Sequence, residues 1–88
     1  MKNRLKRKSE NWRRKLPRPI VIRAGKTLRL LSDCRSYVVD LDQFEAARSP
    51  WQHAAELMLT AAKGGDLEEV VLQFRRILIH QNKLVLEE

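Results

Sequence analysis

Two apolar stripes of helical period meet at Gly64-Gly65-Asp66, and that junction limits the possible folds more than any other feature of the chain. Before it, Trp51, Ala54, Ala55, Met58, Ala61 and Ala62 recur on one face of a helix expected from Pro50 to Lys63. After it, Leu67, Val70, Val71, Phe74, Ile77 and Leu78 do the same from Leu67 to about Gln81. Glycine accepts the left-handed backbone that follows a helix, and Asp66 with Glu69 three residues on has the spacing of a capping box. Ser49-Pro50 opens the first of the two helices, serine capping free N–H groups and proline taking a position that needs no donor. Stripes of this kind need an apolar surface to share.

The upstream sequence can supply one. Ile20-Val21-Ile22-Arg23 and Thr27-Leu28-Arg29-Leu30-Leu31 flank Ala24-Gly25-Lys26, which predicts a hairpin. Ser32 reads as the N-cap of a further helix to about Leu41, with Cys34, Tyr37, Val38 and Leu41 as its apolar stripe. The tail Lys83-Leu84-Val85-Leu86 either extends the last helix or adds a short strand. The expected fold is α+β: an N-terminal β-hairpin packed against three amphipathic helices, β-β-α-α-α, with the helices on one side of the sheet. Leu16-Pro17-Arg18-Pro19 holds the chain extended and removes two backbone donors. It reads as the boundary between a basic, flexible arm (residues 1–16) and a single small domain (residues 17–88).

Length sharpens this reading. Of 88 residues, roughly 70 remain to build a core, a size at which folds are marginal without reinforcement. The lone Cys34 cannot form an internal disulfide and fits a reducing compartment. No run approaches the roughly 20 apolar residues of a spanning helix, and Arg13, Arg14 and Lys15 interrupt any leader-like segment. The expectation is a cytoplasmic protein with no membrane span and no cleaved leader.

The order "PRPIVIRAGKTLRLLSD", then "SPWQHAAELMLTAAKGG", then an amphipathic helix begun by Gly-Gly-Asp, resembles a group of small uncharacterised domains of unknown function from soil proteobacteria. The resemblance covers about residues 17 to 81. It implies the hairpin-plus-helices fold and a bacterial cytoplasmic setting, and it carries no active site to transfer.

Charge points to a class of partner. Twelve of the eighteen basic residues lie in the first 29 positions: Lys2, Arg4, Lys6, Arg7, Lys8, Arg13, Arg14, Lys15, Arg18, Arg23, Lys26 and Arg29. Only Glu10 opposes them there, so the net +7 divides into about +11 over this third and about −4 over the rest. Such asymmetry suggests a polyanion. Lysine and arginine neutralise phosphates and release counterions, while Trp12 offers an indole for stacking on a base. If the arm is helical, Leu5, Trp12 and Leu16 share one side. Contacts to phosphate would dominate, because no zinc-finger spacing, glycine loop or RNA-recognition aromatic motif is present. The competing readings are a solvated tail that only confers solubility, and a segment that meets a membrane surface or an acidic protein. In the first reading the function is binding of DNA or RNA, in the solvated-tail reading the arm binds nothing, and no cofactor is implied in any of them.

Nothing else in the chain has the spacing of a reactive site. His53 and His80 fall on polar sides of their helices and lack metal-ligand spacing. Cys34 lies on an apolar stripe, where a buried structural thiol is expected rather than a nucleophile. Ser32 and Ser49 read as caps, Asp40/Asp42 and Glu68/Glu69 as helix-end charges, and Trp51 as a core anchor. The remaining surplus is Leu72, Ile79 and Leu86, seven residues apart and off the main stripe. They serve either as a second buried side of the last helix or as a seam for a homodimer or another protein.

Overall fold

The computed structural model describes residues 10–85. Strands β1 (Lys15–Val21) and β2 (Thr27–Leu30) form an antiparallel hairpin, followed by helices α1 (Leu31–Val39), α2 (Gln43–Ala46), α3 (Ser49–Ala62) and α4 (Leu67–His80). The α+β expectation holds, with one more short helix than the apolar stripes reveal.

β1 begins before the prolines rather than after them. Ile20 pairs with Leu28 and Val21 with Thr27, but the next partnership joins Lys15 to Leu30, so the ladder shifts register between Lys15 and Ile20. Pro17 and Pro19 lie inside that irregular stretch, which accepts residues without an N–H. Leu16 and Ile20 both turn into the core, 7% and 0% exposed, and this burial keeps the strand continuous across the prolines. The preceding residues are held too. The Asn11 N–H donates to the Ala62 carbonyl, while the Leu31 and Ser32 N–H groups donate to the Arg14 and Trp12 carbonyls. Residues 11–16 therefore belong to the folded unit, and the boundary expected at Leu16 is misplaced. A helical arm uniting Trp12 and Leu16 is likewise replaced by a turn and a strand.

Local chemistry sets the helix ends. α1 follows β2 without a loop, and its cap is Leu30 rather than Ser32. The Asp33 carboxylate accepts from the Arg29 and Leu30 N–H groups at 2.8 and 2.9 Å, which satisfies the donors at that junction. α1 ends at Val39, two residues short of expectation, because Asp42 starts α2 by accepting from the Glu45 N–H at 2.9 Å. Ser49 is the first residue of α3 instead of its cap, a place taken by Arg48. Gly64 ends the turn after α3 with φ +108°, and a Cβ on Gly65 would lie 2.8 Å from the Thr60 carbonyl oxygen, so both glycines are required. Asp66 caps α4 by accepting from the Glu68 N–H; among the described hydrogen bonds the return half of the expected box, from Glu69, is not made. Beyond α4, Asn82 takes φ 58° and the chain returns to the sheet, where Leu84 bridges to Ile22. The helix ends at His80, and among the described residues the tail meets the sheet at one isolated bridge rather than as a strand.

The core lies between the hairpin and the helices. Leu16, Ile20, Ile22 and Leu28 meet Leu31 and Cys34 of α1 and the inward faces of α3 and α4. Ala54, Ala61 and Ala62 are buried small residues on α3, while Trp51 and Phe74 fill the middle edge-to-face with centroids 5.3 Å apart. Buried aromatics of this size cost about 3–5 kcal/mol when truncated to alanine. Trp51 is 1% exposed, the anchor its spacing predicted.

Candidate nucleic-acid interface

The basic residues of the N-terminal third have several fates. Lys2, Arg4, Lys6, Arg7 and Lys8 lie outside the described residues, as does Leu86 of the proposed seam. Arg13, Lys15, Arg23, Lys26 and Arg29 are exposed along or beside the hairpin. None of these five forms an ion pair with a described carboxylate. β1 carries Lys15, β2 carries Arg29, and Arg23 and Lys26 stand at the turn, closed by bonds between the Ile22 N–H and the Lys26 carbonyl and between the Gly25 N–H and the Ile22 carbonyl. The tight turn thus holds four cations on one two-stranded ribbon.

Arg14 and Arg18 are engaged inside the molecule. The Arg14 guanidinium donates to the carbonyls of Ala61 and Gly65 at 2.7 and 2.8 Å, placing its charge on the last turn of α3. The Ala61 carbonyl also accepts from the Gly64 N–H at 3.0 Å, and the site lies at the negative end of the helix dipole, so a half-buried arginine is well placed. Its partners are 47 and 51 residues away, and nothing local in the sequence separates it from its neighbours. Arg18 lies 3.5 Å from Glu68 of α4, with both side chains about half exposed, an ion pair worth little in water.

Trp12 is only half available for stacking. Its ring packs against the core, and the Arg35 guanidinium sits 4.8 Å from the ring centre. Arg35, on α1, is an exposed cation beside the hairpin that the N-terminal charge count does not include. It is an arginine–aromatic contact, favourable by about 0.5–1 kcal/mol at an exposed site.

Elsewhere the structure assembles what spacing does not show. His53 of α3 and His80 of α4 are both exposed, yet they rim one groove of about 650 Å³ between the start of α3 and the end of α4. Trp51 and Ile77 contribute apolar lining, and Arg48 and Arg76 cationic lining. Glu45 of α2 is fixed beside it. Its carboxylate accepts from Gln81 and from the Trp51 indole N–H at 2.8 Å, and Arg48 lies 3.7 Å away. These two hydrogen bonds, with Arg48 and Lys83 adding positive charge, hold the Glu45 carboxyl below the ordinary carboxylate range. Buried Gln73 ties α4 to α3 by donating to the Pro50 carbonyl at 3.1 Å, and it accepts from Arg76 at 3.2 Å.

Cys34 is fully buried, and burial with Asp33 nearby pushes its thiol up to about 12, so it stays protonated at neutral pH and packs as an apolar group. Among the described residues no group of three His, Cys, Asp or Glu side chains is placed to hold a metal ion. No described helix is long and apolar enough to cross a membrane. Leu72 and Ile79 stand on α4, 43% and 49% exposed. No protein-family model matches the chain, and no curated protein or solved structure matches it either.

Proposed function

We propose that this is a small accessory protein that binds nucleic acid without base specificity, through phosphate contacts from its hairpin and the basic run that precedes it. The observation that carries this reading is the exposure of Lys15, Arg23, Lys26 and Arg29 on one ribbon with no described carboxylate paired to them. They continue the densest basic stretch of the chain, and Arg13 and Arg35 stand beside them. Exposed, unengaged cations bind a polyanion by releasing its counterions, which needs charge density more than fixed geometry. Arg14 and Arg18 contribute less, because their partners are already inside the domain.

Affinity measured by fluorescence anisotropy against salt tests this reading. For duplex DNA the log–log slope is expected near −4 to −6, which corresponds to about four to seven phosphates neutralised. Deleting residues 2–9, which stops short of the hydrogen bonds of Asn11, is expected to leave the circular dichroism spectrum intact and to lower the slope by about half. Single-stranded RNA and duplex DNA of matched charge serve as parallel arms. Absence of binding by the intact protein at roughly 50 mM salt sinks the reading, as does a salt-independent affinity.

A further inference from the structure

The most exposed large apolar side chain among the described residues is Phe44, 83% exposed on α2, with Val39 nearby in sequence at 72%. Asp40 and Asp42 precede it closely in the chain, both exposed. The next residue, Glu45, lines the α3–α4 groove, which brings the backbone of Phe44 close to that groove while its side chain stands in solvent. The character of the groove is opposite to that of the knob. Its lining combines apolar Trp51, Pro50 and Ile77 with cationic Arg48 and Arg76. Glu45 is ionised and pairs with Arg48 at 3.7 Å, so the lining keeps a net positive charge through Arg76.

We propose that two copies of this protein associate about a two-fold axis, each placing Phe44 in the groove of the other, with Asp40 and Asp42 facing Arg48 and Arg76 of the partner copy. A closed two-fold contact requires that one patch serve both sides, and Phe44 directly precedes groove residue Glu45 while Asp40 and Asp42 oppose Arg48 and Arg76 in charge. A groove of about 650 Å³ is ample for one phenyl ring and its neighbours. An aromatic anchor buries roughly 150–250 Å², and aromatic anchors of this kind dominate small interfaces. The basic run at residues 1–9 matches the groove poorly, since five cations and no acid would meet Arg48 and Arg76. This surface is distinct from the Leu72/Ile79 side of α4, and it leaves the hairpin cations free.

Sedimentation of the full chain from about 10 µM to 1 mM tests the association, with circular dichroism as the check on folding. The wild type is expected to show a concentration-dependent monomer–dimer shift. Phe44→Asp is expected to weaken it at least about tenfold without unfolding, because the side chain is exposed. Arg76→Glu is expected to weaken it similarly, and adding Asp40→Lys to restore it in part. Mixing the Phe44→Asp and Arg76→Glu proteins is expected to yield more dimer than either alone, since each supplies the half the other lacks. A wild type that stays monomeric overturns the proposal. So does a dimer indifferent to Phe44→Asp, one lost on Ile79→Asp, or one lost on removal of residues 86–88, whose Leu-Glu-Glu would then be the occupant.

Discussion

The hairpin and the α3–α4 groove are both lined with basic side chains, yet they are built in opposite ways. On the hairpin, Lys15, Arg23, Lys26 and Arg29 come from one short stretch of chain, and none is held by a described side-chain bond. At the groove, Arg76, Gln73 and Glu45 come from two parts of the chain and are tied by hydrogen bonds to one another or to Trp51, Gln81 and the Pro50 carbonyl, with Arg48 paired to Glu45 at 3.7 Å. Loose charge suits a partner whose own charge is repetitive and whose shape varies. Fixed polar groups around an apolar lining suit a partner of one shape. Net charge alone therefore says little about what a basic surface does; how its side chains are restrained says more.

The sharpest way to break this contrast is at Arg14, which belongs to the hairpin by position and to the helices by bonding. Arg14→Ala is expected to cost about 2 kcal/mol in urea denaturation, because two carbonyls at the end of α3 lose a charged donor. A loss below about 0.5 kcal/mol would return Arg14 to the class of free cations.

Next in size is Glu45. Its carboxyl is held below its unfolded range, so the stability it confers is present above that range and disappears as pH falls through the lower folded value. Its side chain is 24% exposed, and Glu45→Ala is expected to cost about 1 kcal/mol at pH 7. The difference from wild type should shrink as pH drops below about 4. A difference that is constant from pH 7 to pH 3 would show that the loss is packing rather than charge.

The smallest stability effect is expected on the hairpin itself. Replacing Arg23, Lys26 and Arg29 together by serine should change unfolding free energy by no more than about 0.5 kcal/mol. It should nevertheless reduce the salt slope for nucleic acid by up to about 3. Measured stability and measured slope would then move independently here, whereas at Arg14 stability carries the change.

Much of the fold was legible because it is written locally. The α4 stripe, the Asp66 cap, the Gly64 break and the hairpin about Gly25 are each set within a few residues, and each is observed. The start of β1 was not legible: Pro17 and Pro19 are strong stop signals, and only the joint burial of Leu16 and Ile20 overrides them. α2 was missed although Asp42 and Glu45 have capping-box spacing, because four residues cannot show a helical period. Less of the candidate site could be read. Exposure of Arg23, Lys26 and Arg29 follows from the strand pattern, but the capture of Arg14 by Ala61 and Gly65, and the meeting of His53 with His80 at one groove, depend on contacts between distant parts of the chain.

The return of the chain after α4 has a consequence for crowding. A two-stranded ribbon exposes unpaired N–H and C=O groups along its edges, and these are templates for sheet growth between molecules. Here the Val85 N–H donates to the Val21 carbonyl and the Arg23 N–H to the Lys83 carbonyl, so the late part of β1 is already occupied. Its early part holds Pro17 and Pro19, which have no N–H to offer. Copies packed side by side along one polymer of phosphates would find no long free ladder on β1 to extend, which guards against aggregation where a basic β-ribbon is most exposed to it.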